Sequence, residues 1–237
     1  MLDMDIQIHR SKDRGMTKLP WLESRHSFSF GSYRNPQRMH FGMLRVLNDD
    51  RILGGKGFGM HMHDNMEILS IVLEGSLEHK DSKGNHGIIK QNEIQHISAG
   101  KGIQHSEFNH SKTVKCRFLQ IWIEPNEYDI EPSYQQQKIP QKDNDFSLIV
   151  SNKKGTSSVL LHQNAFISIG HFDEKKSANY TPNHTGNGIF LYVLDGLVEV
   201  QKQSIEPGDS AEIAKADAIE LAFKKPSTVL LIEVPMA

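Results

Sequence analysis

The segment "VLEGSLE" at 72–78 recurs 121 residues later as "VLDGLVE" at 193–199. Each copy is an apolar run, an acidic residue with a glycine, and a second run, the pattern of two strands joined by a tight turn. The downstream segments are also alike: "GIIKQNEIQHISAG" after the first copy and "SIEPGDSAEIAKAD" after the second. The economical reading is one β-module present twice. In a chain of 237 residues, that predicts two β-domains in tandem.

Further short runs of β-branched and aromatic residues extend the pattern: "CRFLQIWI" (116–123), "FSLIV" (146–150) and "TVLLIEV" (228–234). Long helical periodicity is absent. The expected fold is therefore all-β: two tandem β-barrel or jelly-roll domains with few short helices. The stretch "EPNEYDIEPSYQQQKIPQKDNDF" (124–146), rich in Pro, Gln and charge, reads as a connection. The expected division is an N-terminal domain over 1–134, a linker over 135–145 and a C-terminal domain over 146–237.

Charge narrows the function. Lys and Arg number 27 against 29 Asp and Glu, without the basic excess of a nucleic-acid protein. The lysine pairs 153–154, 175–176 and 224–225 are scattered and read as solvated turns. No run approaches the ~18 apolar residues of a membrane span, and "MLDMDIQIHRSKDRG" lacks an apolar signal core. The expected location is cytoplasmic, which leaves the sequons at Asn109, Asn179 and Asn183 unused. Cys116 stands alone, so no intramolecular disulfide forms, and its strand-like setting predicts a buried filler.

Histidine is the anomaly: seven of 13 fall between residues 61 and 110. His61 and His63 are two apart, so in a strand both imidazoles share a face. His105 and Glu107 repeat that spacing behind the glycine-punctuated "GKG", with 41 residues between the pairs. Three or four short strands fit in that interval, enough for the pairs to meet across a small barrel. Three neutral imidazoles and a carboxylate suit Fe(II), Zn, Mn, Ni or Cu rather than Ca or Mg. Glu67 has the same strand parity as His61 and His63, so either Glu67 or Glu107 could supply the carboxylate. His79, His86, His96 and His110 are expected at the surface or in turns.

In these residues the chain resembles the cupin superfamily, and more closely the pirin family. Gly55, five residues, then His61 and His63 match the first cupin motif, and Gly102, His105 and Asn109 match the second. The pirin resemblance covers "HSFSFGSY" (26–33), "GFGMHMHDNMEI" (57–68), "VLEGSLEHKDSKGNHGII" (72–89), "SAGKGIQHSEFN" (98–109) and "QIWIEP" (120–125). It implies a bicupin whose first domain holds one divalent transition metal, Fe(II) foremost, on His61, His63, His105 and Glu107. Glu67 then becomes a neighbour of the ligands. It also implies activity: several bacterial pirin-like proteins are quercetin 2,3-dioxygenases, which suggests a small aromatic substrate, dioxygen, and Glu107 as a catalytic base. The family's association in animals with transcription-factor regulation suggests an alternative, a redox-sensitive metal-binding interaction protein. A cupin enzyme for another small metabolite is a third. No nucleic-acid or membrane partner is implied; a protein partner or a homodimer is.

Two features depart from the family pattern. Met62 stands where pirins commonly have proline, and Asp64-Asn65 follow where a basic residue is common. In the second module a shift of 121 residues puts Pro182 against His61 and His184 against His63. Matching "AIELAF" to "IQHSEF" sets Glu220 against His105 and Ala222 against Glu107. One imidazole is too few for a metal, so a structural second module is expected.

Overall fold

The computed structural model describes residues 4–236. Among them there is no α-helix; the one helical element is a single 3-10 turn at Ser11–Asp13, and the rest is strand and connection. Among the described residues no helix is long and apolar enough to cross a membrane.

The chain divides into two compact units, one formed by Gly15–His40 and Leu44–Ile139, the other by the chain before Gly15, Phe41–Met43 and the chain from Pro140. In the first, a large sheet orders its strands Ser133–Lys138, Glu93–Ser98, Glu67–Glu74, Cys116–Ile123, Leu44–Ile52, Leu22–His26 and Gly15–Lys18. A smaller sheet carries Gly57–His63, Ile103–Asn109, Ser76–Asp81 and His86–Lys90. All neighbours are antiparallel. The strand Ser133–Lys138, inside the Pro- and Gln-rich stretch, is an edge strand paired with Glu93–Ser98.

The second unit repeats the design. Its large sheet runs Asp5–His9, Ser210–Ala214, Asn187–Asp195, Ser227–Pro235, Phe166–Phe172, Asp145–Ser151 and Val159–Leu160. Its small sheet runs Ser177–Tyr180, Ile219–Phe223, Val198–Val200 and Gln203–Ile205. Strand for strand the small sheets have the same order, which is what a duplicated module requires. The N-terminal strand belongs to this unit: Asp5–His9 pairs with Ser210–Ala214, and Ile6 and Ile8 pack on its core.

Alternation of apolar and polar residues makes each sheet a wall of a sandwich. In the first unit Leu77 and Ile89 of the small sheet pack with Leu22, Ile52, Val72, Cys116 and Phe118 of the large one. A second cluster, Ile68, Ile97, Ala99 and Ile103, lies apart from the first. Cys116 is fully buried and its thiol is pushed up to about 12, chiefly by desolvation, so it is an inert filler, as expected.

The two repeated turns depend on glycine. Gly75 and Gly196 have φ of 76° and 89°, in the left-handed region. A Cβ at Gly196 would overlap Ser227 Oγ and the Pro226 carbonyl. Gly196→Ala is therefore expected to lower unfolding stability by more than about 1 kcal/mol. Equal urea midpoints for the variant and the parent would contradict this.

Candidate metal centre

The strands Gly57–His63 and Ile103–Asn109 lie side by side with His61 directly opposite His105 and Ile103 opposite His63. Register then slips, so that Glu107 faces Phe58 and two residues, Gly59 and Met60, stand against Ser106 alone. Such a bulge re-aims side chains. Here the Gly59 carbonyl accepts the Nδ1–H of His61 at 2.8 Å, which leaves Nε2 of that ring with its lone pair.

The three imidazoles converge. Ring centroids lie 4.7 Å apart for His61 and His63, 4.5 Å for His61 and His105, and 5.0 Å for His63 and His105. One nitrogen from each falls within 4.8 Å of the others. Among the described residues no other such group of His, Cys, Asp or Glu occurs. Trp122 packs edge-on against His63, centroids 4.9 Å apart.

Burial sets their charge. Desolvation first, and then repulsion from His105 and His61, lower His63 to about 4. Desolvation, then His61 and His79, lower His105 to about 3. Both rings are neutral near pH 7. His63 Nε2 and both ring nitrogens of His105 are buried without hydrogen-bond partners. An unsatisfied buried polar atom costs about 1–3 kcal/mol, and a cation that takes these lone pairs removes that cost. The residues therefore fit a divalent transition metal with imidazole preference.

Glu107 is buried beside this cluster, and its carboxylate is held from the opposite sheet. Ser70 Oγ donates to Oε1 at 2.9 Å, Gln95 Nε2 also donates to Oε1, and Gln120 Nε2 donates to Oε2 at 3.1 Å. The single Ser70 hydroxyl hydrogen is shared between Glu107 Oε1 and Gln120 Oε1, the latter 2.6 Å away, and Ser70 Oγ accepts from Gln95 Nε2 at 3.0 Å. These three residues come from adjacent strands and are direct cross-strand partners. The row continues through Asn48 to His26, whose Nδ1 lies 2.8 Å from Asn48 Oδ1. The sequence signal for the row is a single polar residue interrupting each apolar strand: Ser70 in "ILSIV" and Gln120 in "FLQIWI".

Glu67 is elsewhere. It begins the strand that also carries Ser70, on the opposite face, where Ser98 Oγ donates to it at 2.6 Å and His96 Nε2 lies 2.8 Å away. Of the histidines expected at the surface, His86 and His110 are exposed, whereas His79 and His96 are fully buried. Each buried ring is paired with a carboxylate, Asp81 and Glu67 respectively, which is what burial of a polar ring demands. Of the positions departing from the family pattern, Met62 and Asp64 are exposed. Asn65, at φ 43°, exchanges hydrogen bonds with Asp129, donating from Nδ2 at 3.2 Å and accepting the Asp129 N–H at 2.8 Å.

In the second unit the strand pairing corrects the matching of "AIELAF" by one residue. Val200, the counterpart of His79, pairs with Leu221, so Leu221 stands where Glu107 does and Ile219 where His105 does. Glu220 and Ala222 fall on the opposite face, because a one-residue slip turns every side chain over. Tyr180 pairs with Ile219 as His61 pairs with His105. The polar row is apolar here too: Ala211, Leu191 and Leu231 replace Gln95, Ser70 and Gln120. The surviving imidazole, His184, is exposed, with Nδ1 2.9 Å from the Thr185 carbonyl.

Residues 8–123 match the family described as Pirin, and residues 148–234 match that described as Quercetinase C-terminal cupin domain. The quercetin 2,3-dioxygenase of Escherichia coli K12 is 36% identical over 232 residues, covering 97% of this chain and 99% of that protein. The crystal structure of YhhW from Escherichia coli superposes with a TM-score of 0.94 at 35% identity, covering 98% of this chain and 99% of that one. The nickel(II) complex of bacterial pirin YhhW superposes with a TM-score of 0.93 at 34% identity, covering 98% of this chain and 100% of that one.

The lowered imidazoles set a pH dependence for the metal-free protein. Unfolding restores His63 and His105 to about 6.5, so between that pH and about 3–4 the unfolded chain binds more protons than the folded one. Their contribution is fully present above pH 6.5 and is lost as pH falls toward 3–4. The fall in urea midpoint from pH 7 to pH 5 is expected to be smaller in His105→Phe than in the parent. An equal fall in both would contradict this.

Proposed function

This chain belongs to the pirin family, and on that premise we propose that it is a metal-dependent dioxygenase acting on quercetin or a related flavonol. The observation that carries the reading is the convergence of His61, His63 and His105, with ring nitrogens of His63 and His105 buried and left over for a metal. We assign Glu107 as the fourth donor, its carboxylate lying outside the group of nitrogens that converge within 4.8 Å. Oε1 of Glu107 already accepts from Ser70 and Gln95, whereas Oε2 accepts from Gln120 alone. A carboxylate oxygen has two lone-pair sites, so Oε2 is the atom with capacity to spare.

Fe(II) is the metal we assign first, and Ni, Mn, Zn and Cu suit the same donors. When bound, the metal supplies Lewis-acid polarisation of the substrate's enol oxygen and the electronic coupling that dioxygen requires. The three imidazoles fix its position on two adjacent strands. Glu107 would take the proton of the flavonol 3-hydroxyl as general base on Oε2 if it is loosely held as a ligand, since the one spare lone pair of that oxygen serves either the metal or the proton. The amides of Gln95 and Gln120 and the Ser70 hydroxyl hold that carboxylate in place. The substrate anion and O2 then yield the opened depside, and one ring carbon leaves as carbon monoxide.

The test is oxygen uptake and loss of quercetin absorbance by protein loaded with Fe(II), Ni, Mn or Cu at one ion per chain. Absence of turnover with every metal, in protein shown to hold it, would sink the dioxygenase reading. Glu107→Gln is expected to keep metal on the three imidazoles and to lose turnover about 100-fold or more. Glu67→Gln should retain the metal, since Glu67 is engaged by Ser98 and His96. Loss of metal in that variant would shift the carboxylate assignment from Glu107 to Glu67.

A further inference from the structure

We propose that His79, held by Asp81, is a positioning residue for the metal ligand His105, accepting the ring N–H of His105 that the metal does not use. The inference rests on the metal site proposed above. The strand Ser76–Asp81 is the other neighbour of Ile103–Asn109, with Asp81 directly opposite His105 and His79 opposite Glu107. Both side chains are wholly shielded from solvent.

Asp81 decides which nitrogen of His79 carries the proton. Its carboxylate accepts the backbone N–H groups of Lys83 and Asn85 at 2.9 Å each, and Asn85 Nδ2 at 2.9 Å. Burial alone would raise Asp81, but bonds from His79 and Asn85 outweigh it and hold the group below its ordinary range, as a carboxylate. A carboxylate only accepts, so His79 Nε2, 3.0 Å from Oδ2, is the donor. Nδ1 of His79 is then a bare lone pair, buried and with no hydrogen-bond partner.

The ring cannot turn to relieve this. It lies flat against Tyr134, centroids 4.6 Å apart and planes within 13°. Its other aromatic neighbour is His105, centroid to centroid 5.5 Å at 50°. Two imidazoles joined head to head by a hydrogen bond of about 2.9 Å have centroids about 5 Å apart. The 5.5 Å separation is close to that of such a pair.

The donor count closes in the same way. His105 has two buried nitrogens without partners, one for the metal and one N–H in need of an acceptor. Metal-bound histidines almost always give that second N–H to an acceptor, which fixes tautomer and ring orientation. His79 is positioned to supply it, and Asp81 stands behind it as the charge. The chain Asp81–His79–His105 then runs across two strands of the small sheet and ends at the metal.

The experiment is nickel(II) titration against a competing chelator, with the thermal midpoint of each metal-free variant measured alongside. The parent must bind one nickel per chain; if it does not, the metal-site reading itself fails. With the parent binding, His79→Phe keeps the ring on Tyr134 but removes the acceptor, and should weaken nickel binding about 10–100-fold. His79→Asn places Oδ1 where Nδ1 stood and should recover much of that loss. Asp81→Asn can offer an N–H to Nε2, moving the ring proton to Nδ1 and setting two N–H groups against each other. It should weaken nickel binding by more than its fall in metal-free midpoint accounts for. Zinc-loaded parent should show a downfield imidazole N–H resonance that His79→Phe lacks. Nickel affinities within about threefold of the parent in both His79→Phe and Asp81→Asn would overturn the proposal. So would equal losses in His79→Phe and His79→Asn that follow the metal-free midpoint.

Discussion

A carboxylate buried between two β-sheets has to be hydrogen-bonded, and the first unit is arranged around that demand. Glu107 projects from the small sheet, and three strands of the large sheet answer it with Gln95, Ser70 and Gln120. Each donor is useful only if its strand is in register, so the cluster ties the pairing of those strands to the position of one side chain. Hydrogen bonds to a charged group are worth about 1.5–3 kcal/mol each, and leaving one unmade in the interior costs more than an exposed one would. The imidazoles His61, His63 and His105 sit beside this anchored carboxylate, and the low basicity of His63 and His105 follows from the same enclosure.

The second unit shows what the fold does without that demand. With the same strand order it fills the corresponding positions with Ala211, Leu191 and Leu231 on one sheet and Ile219 and Leu221 on the other. A buried carboxylate, Glu233, stands at the strand position that Trp122 occupies in the first unit. It accepts from Tyr180 Oη, from the Asn183 and His184 backbone N–H groups, and from the side-chain amides of Asn183 and Asn187. In the second unit the buried carboxylate pins the loop that carries His184. The duplicated architecture accepts either a polar or an apolar interior, and the choice separates a candidate centre from a scaffold.

Much of this is legible in the sequence. The repeated "VLEG" and "VLDG" turns, with the alternation around them, are enough for two all-β modules, because a glycine turn between apolar runs admits few other structures. His61, His63, His105 and Glu107 are singled out by period-2 spacing, which places side chains on one face whatever the fold. Spacing alone misplaces the counterparts of His105 and Glu107 by one residue and that of His61 by two, because strand register is set by pairing between distant segments. Nor does it mark His79 and His96 as buried, since burial of a histidine depends on a carboxylate partner two or 29 positions away in the chain.

By itself the sequence determined the class of fold, its duplication and the residue types able to hold a metal, since these follow from local periodicity and side-chain chemistry. Only the tertiary structure decided which groups meet. It engaged Glu67 with Ser98 and His96, set Glu107 against three donors from the opposite sheet, and buried His79 beside His105 with Nδ1 unpartnered. The physical reason is that a buried polar atom is defined by its partners, and those partners are joined by strand pairing across the chain.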